Sequence, residues 1–167
     1  MGGADLVVLS AGAGYTDEAE SWAHVRDTVE TNALGFAALA DAAYGHFEAR
    51  GGGHLVGITS VAAVRESGAA PAYHASKAFA ARYLAGLRHR AARAGLPVLV
   101  TDVRPGFVDT AMAQGDGLFW VASPERAADQ IVDAIGARRE VVHVTRRWRG
   151  VAAALAILPD WLYRRLG

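Results

Sequence analysis

Cysteine is absent from the 167-residue chain, which removes disulfide frameworks, thiolate zinc sites and cysteine nucleophiles from consideration. Lysine is almost absent too: sixteen of the 17 basic residues are arginine and one is Lys77. A net charge of either sign is missing, since 17 cations meet 17 anions, and that balance argues against a general polyanion binder. Long hydrophobic runs are lacking as well. The N-terminus passes from Met1 to Asp5 into a short apolar run, without the basic start and long apolar stretch of a signal peptide. Near the C-terminus the longest uncharged apolar stretch, Val151 to Pro159, falls far below the roughly 20 residues that span a bilayer. An intracellular, cytoplasmic setting is the expectation. The six histidines are scattered without a pair at metal-ligand spacing, so no metal is expected, and no paired carboxylates suggest a hydrolase.

With 52% hydrophobic and 20% charged residues, the chain has the composition of one globular domain rather than a disordered segment. A chain of this size can bury about 70% of the surface its unfolded form exposes, so its core needs no covalent staple. Charge is unevenly placed. From Arg138 onward seven arginines face only Glu140 and Asp160, an excess of five positive charges, and the first 137 residues carry the matching negative excess. Residues 146–167 form a basic amphipathic tail. Its arginines have a plain reading as solvated residues flanking a short helix and a sharper one as a contact for an anionic surface. Packing of Trp148, Leu155, Leu158, Trp161 and Leu162 against the domain or a second subunit is favoured over membrane contact.

Leu6 to Leu9 form a continuous apolar run ended by Ser10, Ala11, Gly12, Ala13 and Gly14, the pattern of a parallel strand buried on both faces. From Ser21 to Arg50 helical spacing predicts one long helix with a bend near Asn32, stopped by Gly51 to Gly53. His54 to Ser60 reads as the second strand. After a loop through Pro71 an alanine-rich helix runs to about Ala94, and Leu96 to Val103 reads as the third strand, stopped by Pro105 and Gly106. The segment from Phe107 to Ala122 reads as a loop. Ser123 caps a helix with Pro124 in its first position, Glu140 to Thr145 is the fourth strand, and the remainder is helix interrupted by Pro159. Strands separated by helices must return by crossovers and lie parallel, so the class is α/β, within one domain.

Lys77 stands four residues after Tyr73, a spacing that puts both side chains on one face of a helix. The pairing has a chemical rationale. A phenol with a reference pKa of about 10 is a poor base at neutral pH, and bringing it near 7 takes roughly 4 kcal/mol. A cation about 4 Å away at an effective dielectric near 20 supplies about that much. The same spacing also fits a surface tyrosine beside a solvated lysine.

The neighbours narrow that choice. Tyr73-His74-Ala75-Ser76-Lys77, preceded by Ile58-Thr59-Ser60 and followed by Arg104-Pro105-Gly106-Phe107-Val108-Asp109-Thr110, resembles the short-chain dehydrogenase/reductase family, as does Thr31-Asn32-Ala33-Leu34-Gly35 in the long helix. The resemblance covers the chain as the C-terminal two thirds of a Rossmann-like fold, a parallel sheet flanked by helices that lacks its first strands. It implies NAD(P) as cofactor and hydride transfer to or from a carbonyl or secondary alcohol. Tyr73 would be the general acid/base, Lys77 would lower its pKa and hold the nicotinamide ribose, and Ser60 would hydrogen-bond the substrate oxygen. Asn32 would help retain a water linking Lys77 to solvent. Ala11 and Gly12 would approach the cofactor through their backbone. Pro105, Gly106 and Thr110 would lie along the nicotinamide with Val108 near its carboxamide, and the loop from Phe107 to Ala122 would fold over substrate. Each has a plainer reading: a strand end for Ser60, relief of a helix bend for Asn32, loop punctuation for Pro105 and Gly106.

Departures from the family pattern carry consequences of their own. Leu9-Ser10-Ala11-Gly12 stands where the family usually has Asn-Asn-Ala-Gly, so part of the bracing at the sheet centre is lost. The glycine-rich phosphate loop has no counterpart. Gly12 and Gly14 give only G-x-G, and Asp17 stands in the third glycine's place, where its size and charge oppose a pyrophosphate. The first strand is therefore expected to have an apolar edge without a neighbour, so that another polypeptide, an upstream coding segment or a second copy covers it. A catalytically silent interaction module is the alternative reading of such a chain, and a peripheral membrane protein using the basic tail is a third.

Overall fold

The computed structural model describes residues 3–15, 21–110 and 119–165. Four strands alternate with helices, as the hydrophobic pattern dictates: β1 (Leu6–Leu9), β2 (Gly53–Ile58), β3 (Val98–Pro105) and β4 (Val141–Val144). They form one parallel sheet in the order β1-β2-β3-β4, with Leu55 level with Val7 and Val100. The connecting helices are α1 (Trp22–Val29), α2 (Phe36–Arg50), α3 (Pro71–Ala94) and α4 (Pro124–Gly136), and α5 (Trp148–Ile157) and α6 (Asp160–Tyr163) follow β4. Strand β3 extends to Pro105 rather than stopping before it. A proline can occupy that terminal position because a missing N–H there removes no interior rung of the ladder. Ser21 and Ser123 cap α1 and α4 through bonds accepted from His24 N and Arg126 N.

The sheet separates two apolar cores. On one face Phe36, Ala40, Tyr44 and Phe47 of α2 and Ala80, Leu84 and Leu87 of α3 pack over Leu9, Leu55, Val98 and Val100. On the other, Val56, Val103 and Val144 meet Ala127 and the partly buried Ile131 and Ile135 of α4. Gly57 lets α2 and α3 approach β2 closely, since a Cβ there would lie 2.6 Å from Leu84 Cδ1 and 2.9 Å from Phe36 Cζ.

Two sequence expectations change in detail. The long helix is divided by a π-helical segment, Glu30–Gly35, which contains Asn32 and accounts for the bend. Strand β1 is not buried on both faces. Val7 and Leu9 join the α2–α3 core, whereas Leu6 and Val8 are 45% and 44% exposed, because among the described residues β1 pairs only with β2 and no helix covers its second face.

At the amino end of the sheet, His54 Nε2 lies 2.8 Å from Thr101 Oγ1, whose proton goes to the Arg139 carbonyl at 2.6 Å. His54 therefore donates to Thr101 from Nε2. Burial first, and the Arg138 charge second, hold its pKa below the ordinary value of 6.5. His143 shifts in the same direction, first through burial and then through Arg104 and Arg149, against an opposing pull from Asp102. The unfolded chain thus takes up protons first, so stability is full above pH 6.5 and falls as pH drops through the folded values. The urea midpoint is expected to fall on acidification below pH 6.5, with a shallower fall in His54→Gln. An identical acid slope in that variant would refute the assignment.

Candidate active site

Pro71 opens α3 in a first-turn position that needs no N–H donor, and the next two turns carry Tyr73 and Lys77. Both point toward the carboxyl end of β2. Lys77 is 7% exposed; its Nζ donates to the Ile58 carbonyl at 3.3 Å and lies 5.6 Å from the centre of the Tyr73 ring. Ser60 follows β2 in extended backbone, and its Oγ accepts from Ala62 N at 3.1 Å, capping a short 3-10 turn at Val61–Ala63. Its side chain is close enough to the Tyr73 phenol to draw its pKa down. A tyrosine, a lysine and a serine are thus brought together at one strand end.

Burial raises the Tyr73 phenol above its ordinary pKa, and the Ser60 side chain draws it partly back. Burial lowers the Lys77 ammonium. An ammonium beside the hydroxyl would make the phenol acidic. Here it lies over the ring and is engaged by a backbone carbonyl, and desolvation of the phenolate wins. The phenol is neutral at pH 7, the form that donates a proton.

Asn32, only 2% exposed, clamps the turn after β1. Its Oδ1 accepts from Ala13 N at 2.8 Å, and its Nδ2 donates to the Ala13 carbonyl at 2.7 Å and to Ser76 Oγ at 3.0 Å. This restores the bracing that Leu9 and Ser10 do not supply, and it ties the turn to α3 one residue before Lys77. Ala11 is exposed at this turn. The backbone of Gly12 faces the lysine: a Cβ there would lie 3.2 Å from Lys77 Nζ and 3.5 Å from Asn32 Oδ1. That space suits the ribose end of a nicotinamide nucleotide, because an ammonium has three donors and Ile58 uses one. The Ala13 N–H of this turn is taken by Asn32 Oδ1 and is not offered to a phosphate; Asp17 lies outside the described residues.

Pro105 ends β3, and Gly106 N donates to the Val144 carbonyl. A Cβ on Gly106 would overlap the Trp148 indole, so this glycine is where α5 docks. Val108 pairs with Ala122 and packs against the α4 core. Thr110 is exposed and its Oγ1 donates to the Val108 carbonyl at 3.3 Å. Residues 111–118 of the expected substrate loop lie outside the described residues. The ends of that loop carry a feature invisible in sequence, a cluster of Phe107, Phe119, Trp120 and Trp148 with ring centres 5.1–6.0 Å apart.

Two further groups escape motif reading. Asp102, fully buried, accepts from Thr59 Oγ1 at 2.5 Å and from Arg104 Nε and an Arg104 terminal nitrogen at 2.7 Å each, steadying the strand ends beneath Ser60. Arg65, in the loop between Ser60 and Tyr73, donates to the Leu155 and Leu158 carbonyls and pairs with Asp160, and Tyr163 donates to the Glu66 carbonyl. His74 in turn contacts the Arg65 carbonyl at 2.6 Å. The tail is thereby docked onto the site loop: Trp148 is buried, while Trp161 stays exposed beneath Arg165. Among the described residues no helix is long and apolar enough to cross a membrane. The arginine in a loop and the separated aromatics have no periodic signature, so only the fold reveals them.

A family model described as short chain dehydrogenase matches residues 1–117. An uncharacterised oxidoreductase of Myxococcus xanthus is 42% identical over 109 residues, covering 64% of this chain and 42% of that protein. Another, from Mycobacterium tuberculosis, is 31% identical over 179 residues, covering 99% of this chain and 66% of its own length. The chain thus spans between about two fifths and two thirds of these relatives. A short chain dehydrogenase of Burkholderia cenocepacia solved with NADP superposes with a TM-score of 0.78 at 25% identity, over 96% of this chain and 70% of that one. A Sphingobium yanoikuyae short-chain dehydrogenase with NADPH shares the fold, with a TM-score of 0.76 at 20% identity over 93% of this chain and 66% of that one. With the residue motifs, the parallel sheet and these matches in agreement, the chain belongs to the short chain dehydrogenase family.

Proposed function

We propose that this chain carries the catalytic end of an NAD(P)-dependent oxidoreductase that transfers hydride between a nicotinamide cofactor and a carbonyl or secondary alcohol. The observation that carries this reading is the convergence of Tyr73, Ser60 and Lys77 with the bare backbone of Gly12 at one strand end. The NADP and NADPH in the Burkholderia and Sphingobium structures support the cofactor class. When bound, the reduced cofactor supplies the hydride. Ser60 holds the carbonyl oxygen and Tyr73, neutral, gives it a proton as charge develops there. Lys77 offers its two remaining N–H groups to the ribose hydroxyls. Asn32 holds the Ala13 turn in place beside the ammonium, and the solvent path that reprotonates Tyr73 passes Asn32 and Lys77. Pro105, Gly106, Val108 and Thr110 would hold the nicotinamide end of the cofactor, and Ala11 and Gly12 its ribose.

Saturable NADPH binding, followed by cofactor fluorescence, tests the reading. Lys77→Met is expected to weaken it about 10- to 100-fold, the range for a charge-assisted hydrogen bond. No binding at millimolar cofactor would overturn it. That result would favour the second reading, an interaction module whose open β1 edge and exposed Leu6 and Val8 are covered by a second copy or another polypeptide.

A further inference from the structure

Pro159 has no N–H to give, so the carbonyl of Leu155, four residues earlier, lacks a helical donor at the end of α5. Arg65 supplies one. Its Nε donates to the Leu155 carbonyl at 2.8 Å, one terminal nitrogen donates to the Leu158 carbonyl, and the other donates to Asp160 Oδ1 at 2.5 Å. A rigid fork of donors can close the last turn of α5 and the first of α6 together, which a single ammonium on a flexible stem cannot. The guanidinium also lies over the Tyr163 ring at 5.2 Å, and the Tyr163 hydroxyl donates to the Glu66 carbonyl at 2.6 Å. With its side chain only 15% exposed, Arg65 is fixed by a segment that lies 90 to 95 positions further along the chain.

What this anchor holds is the loop between Ser60 and Tyr73. The 3-10 turn at Val61–Ala63 starts from Ser60, whose carbonyl accepts from Ala63 N and whose Oγ accepts from Ala62 N, each at 3.1 Å. Val64 N closes the turn on the Val61 carbonyl, one residue before Arg65. On its other side the Arg65 carbonyl accepts from His74 Nδ1 at 2.6 Å, and the His74 ring meets the Tyr73 ring edge to face at 6.1 Å. Helix α3 starts after Ala70, which has no side chain to cap it, so the His74 bond fastens its first turn from the side instead. Ser60 and Tyr73 thus share one anchor. We propose that Arg65 is a positioning residue for proton transfer: held by the end of α5 and by α6, it fixes the turn that carries Ser60 and, through its carbonyl on His74, the place of the Tyr73 hydroxyl. The inference rests on the oxidoreductase reading for what Ser60 and Tyr73 do, and on the contacts alone for what Arg65 holds.

The test uses NMR of the full chain labelled with carbon-13 at the tyrosine Cζ, the Tyr73 signal being identified by its loss in Tyr73→Phe. Arg65→Met is expected to move that signal toward its position in the urea-unfolded chain and to leave Tyr83, further along the same helix, where it was. Arg164→Met, which removes an exposed charge from the same tail, should move neither. Tyr163→Phe gives up only the bond to Glu66 and should shift Tyr73 in the same direction to a smaller extent, which keeps the test alive if Arg65→Met does not fold. In turnover of butan-2-one with NADPH, kcat should fall about 10- to 100-fold in Arg65→Met, the scale of a displacement of up to roughly 1 Å at the reacting groups. NADPH affinity should stay within about twofold, because the Lys77 bond to the Ile58 carbonyl is untouched. A Tyr73 signal that stays put in both Arg65→Met and Tyr163→Phe, or that moves only together with Tyr83, would overturn the positioning role. A chain that binds no NADPH yet shifts Tyr73 as expected would refute the reductase reading and leave Arg65 as the anchor of the loop.

Discussion

Tyr73→Phe is expected to slow carbonyl reduction at neutral pH by about 10²–10⁴-fold, the usual contribution of a positioned general acid. NADPH affinity should stay within a few-fold of the parent, because the ring beneath Lys77 is retained and only the hydroxyl is lost. The direction of the phenol's pKa shift adds a pH signature. Burial keeps it protonated, so reduction should be level through neutral pH and decline only where the phenol ionises. Alcohol oxidation needs the phenolate to receive the hydroxyl proton, and its rate should climb with pH over the whole neutral range. Steady-state rates in both directions from pH 6 to 10 check this. Full turnover in Tyr73→Phe, or oxidation flat across that range, would remove the proposed acid/base.

Arg104→Ala is expected to destabilise the fold by about 3–5 kcal/mol, the cost of leaving a buried charge without its partner. Asp102 has no exposed surface, and the arginine, itself largely covered, gives it two bonds at 2.7 Å to one oxygen. Without them the carboxylate keeps, among the described residues, the Thr59 hydroxyl and the nearby His143. Replacing both members, as in Asp102→Leu with Arg104→Met, should recover most of the loss, since a buried pair exchanged for apolar groups of similar size is often neutral. Urea unfolding with an unchanged m value measures both effects. A loss under about 1 kcal/mol for Arg104→Ala would show that solvent reaches Asp102.

Local pattern carried the element order and the core of the site because both depend on short-range spacing. Four residues from Tyr73 to Lys77 is one helical turn, and Ser60 and Gly106 mark strand ends through the apolar runs before them. What the pattern could not convey depends on neighbours far apart in the chain. The β1 run has a fully apolar composition, yet half of it faces outward, since burial is set by which elements cover it. The ammonium–phenol distance needs the third dimension: the same four-residue spacing allows Lys77 to sit beside the hydroxyl or, as here, over the ring. Asp102 meets Thr59 across 43 residues, Arg65 reaches Leu155 across 90, and the four clustered rings come from both ends of a loop and a later helix. None of these leaves a periodic trace.

The π-helical segment at Glu30–Gly35 adds one residue to the turn count between Trp22 and Arg50. Each residue of an α-helix advances the side-chain azimuth by about 100°, so this insertion sets the phase of α1 relative to α2. A chain shortened by one position within it would become a continuous rod, rotating Asn32 off Ala13 and releasing the turn of backbone beside Lys77. The irregular turn is therefore a phase-setter, and the spacing on either side of it is fixed to the single residue.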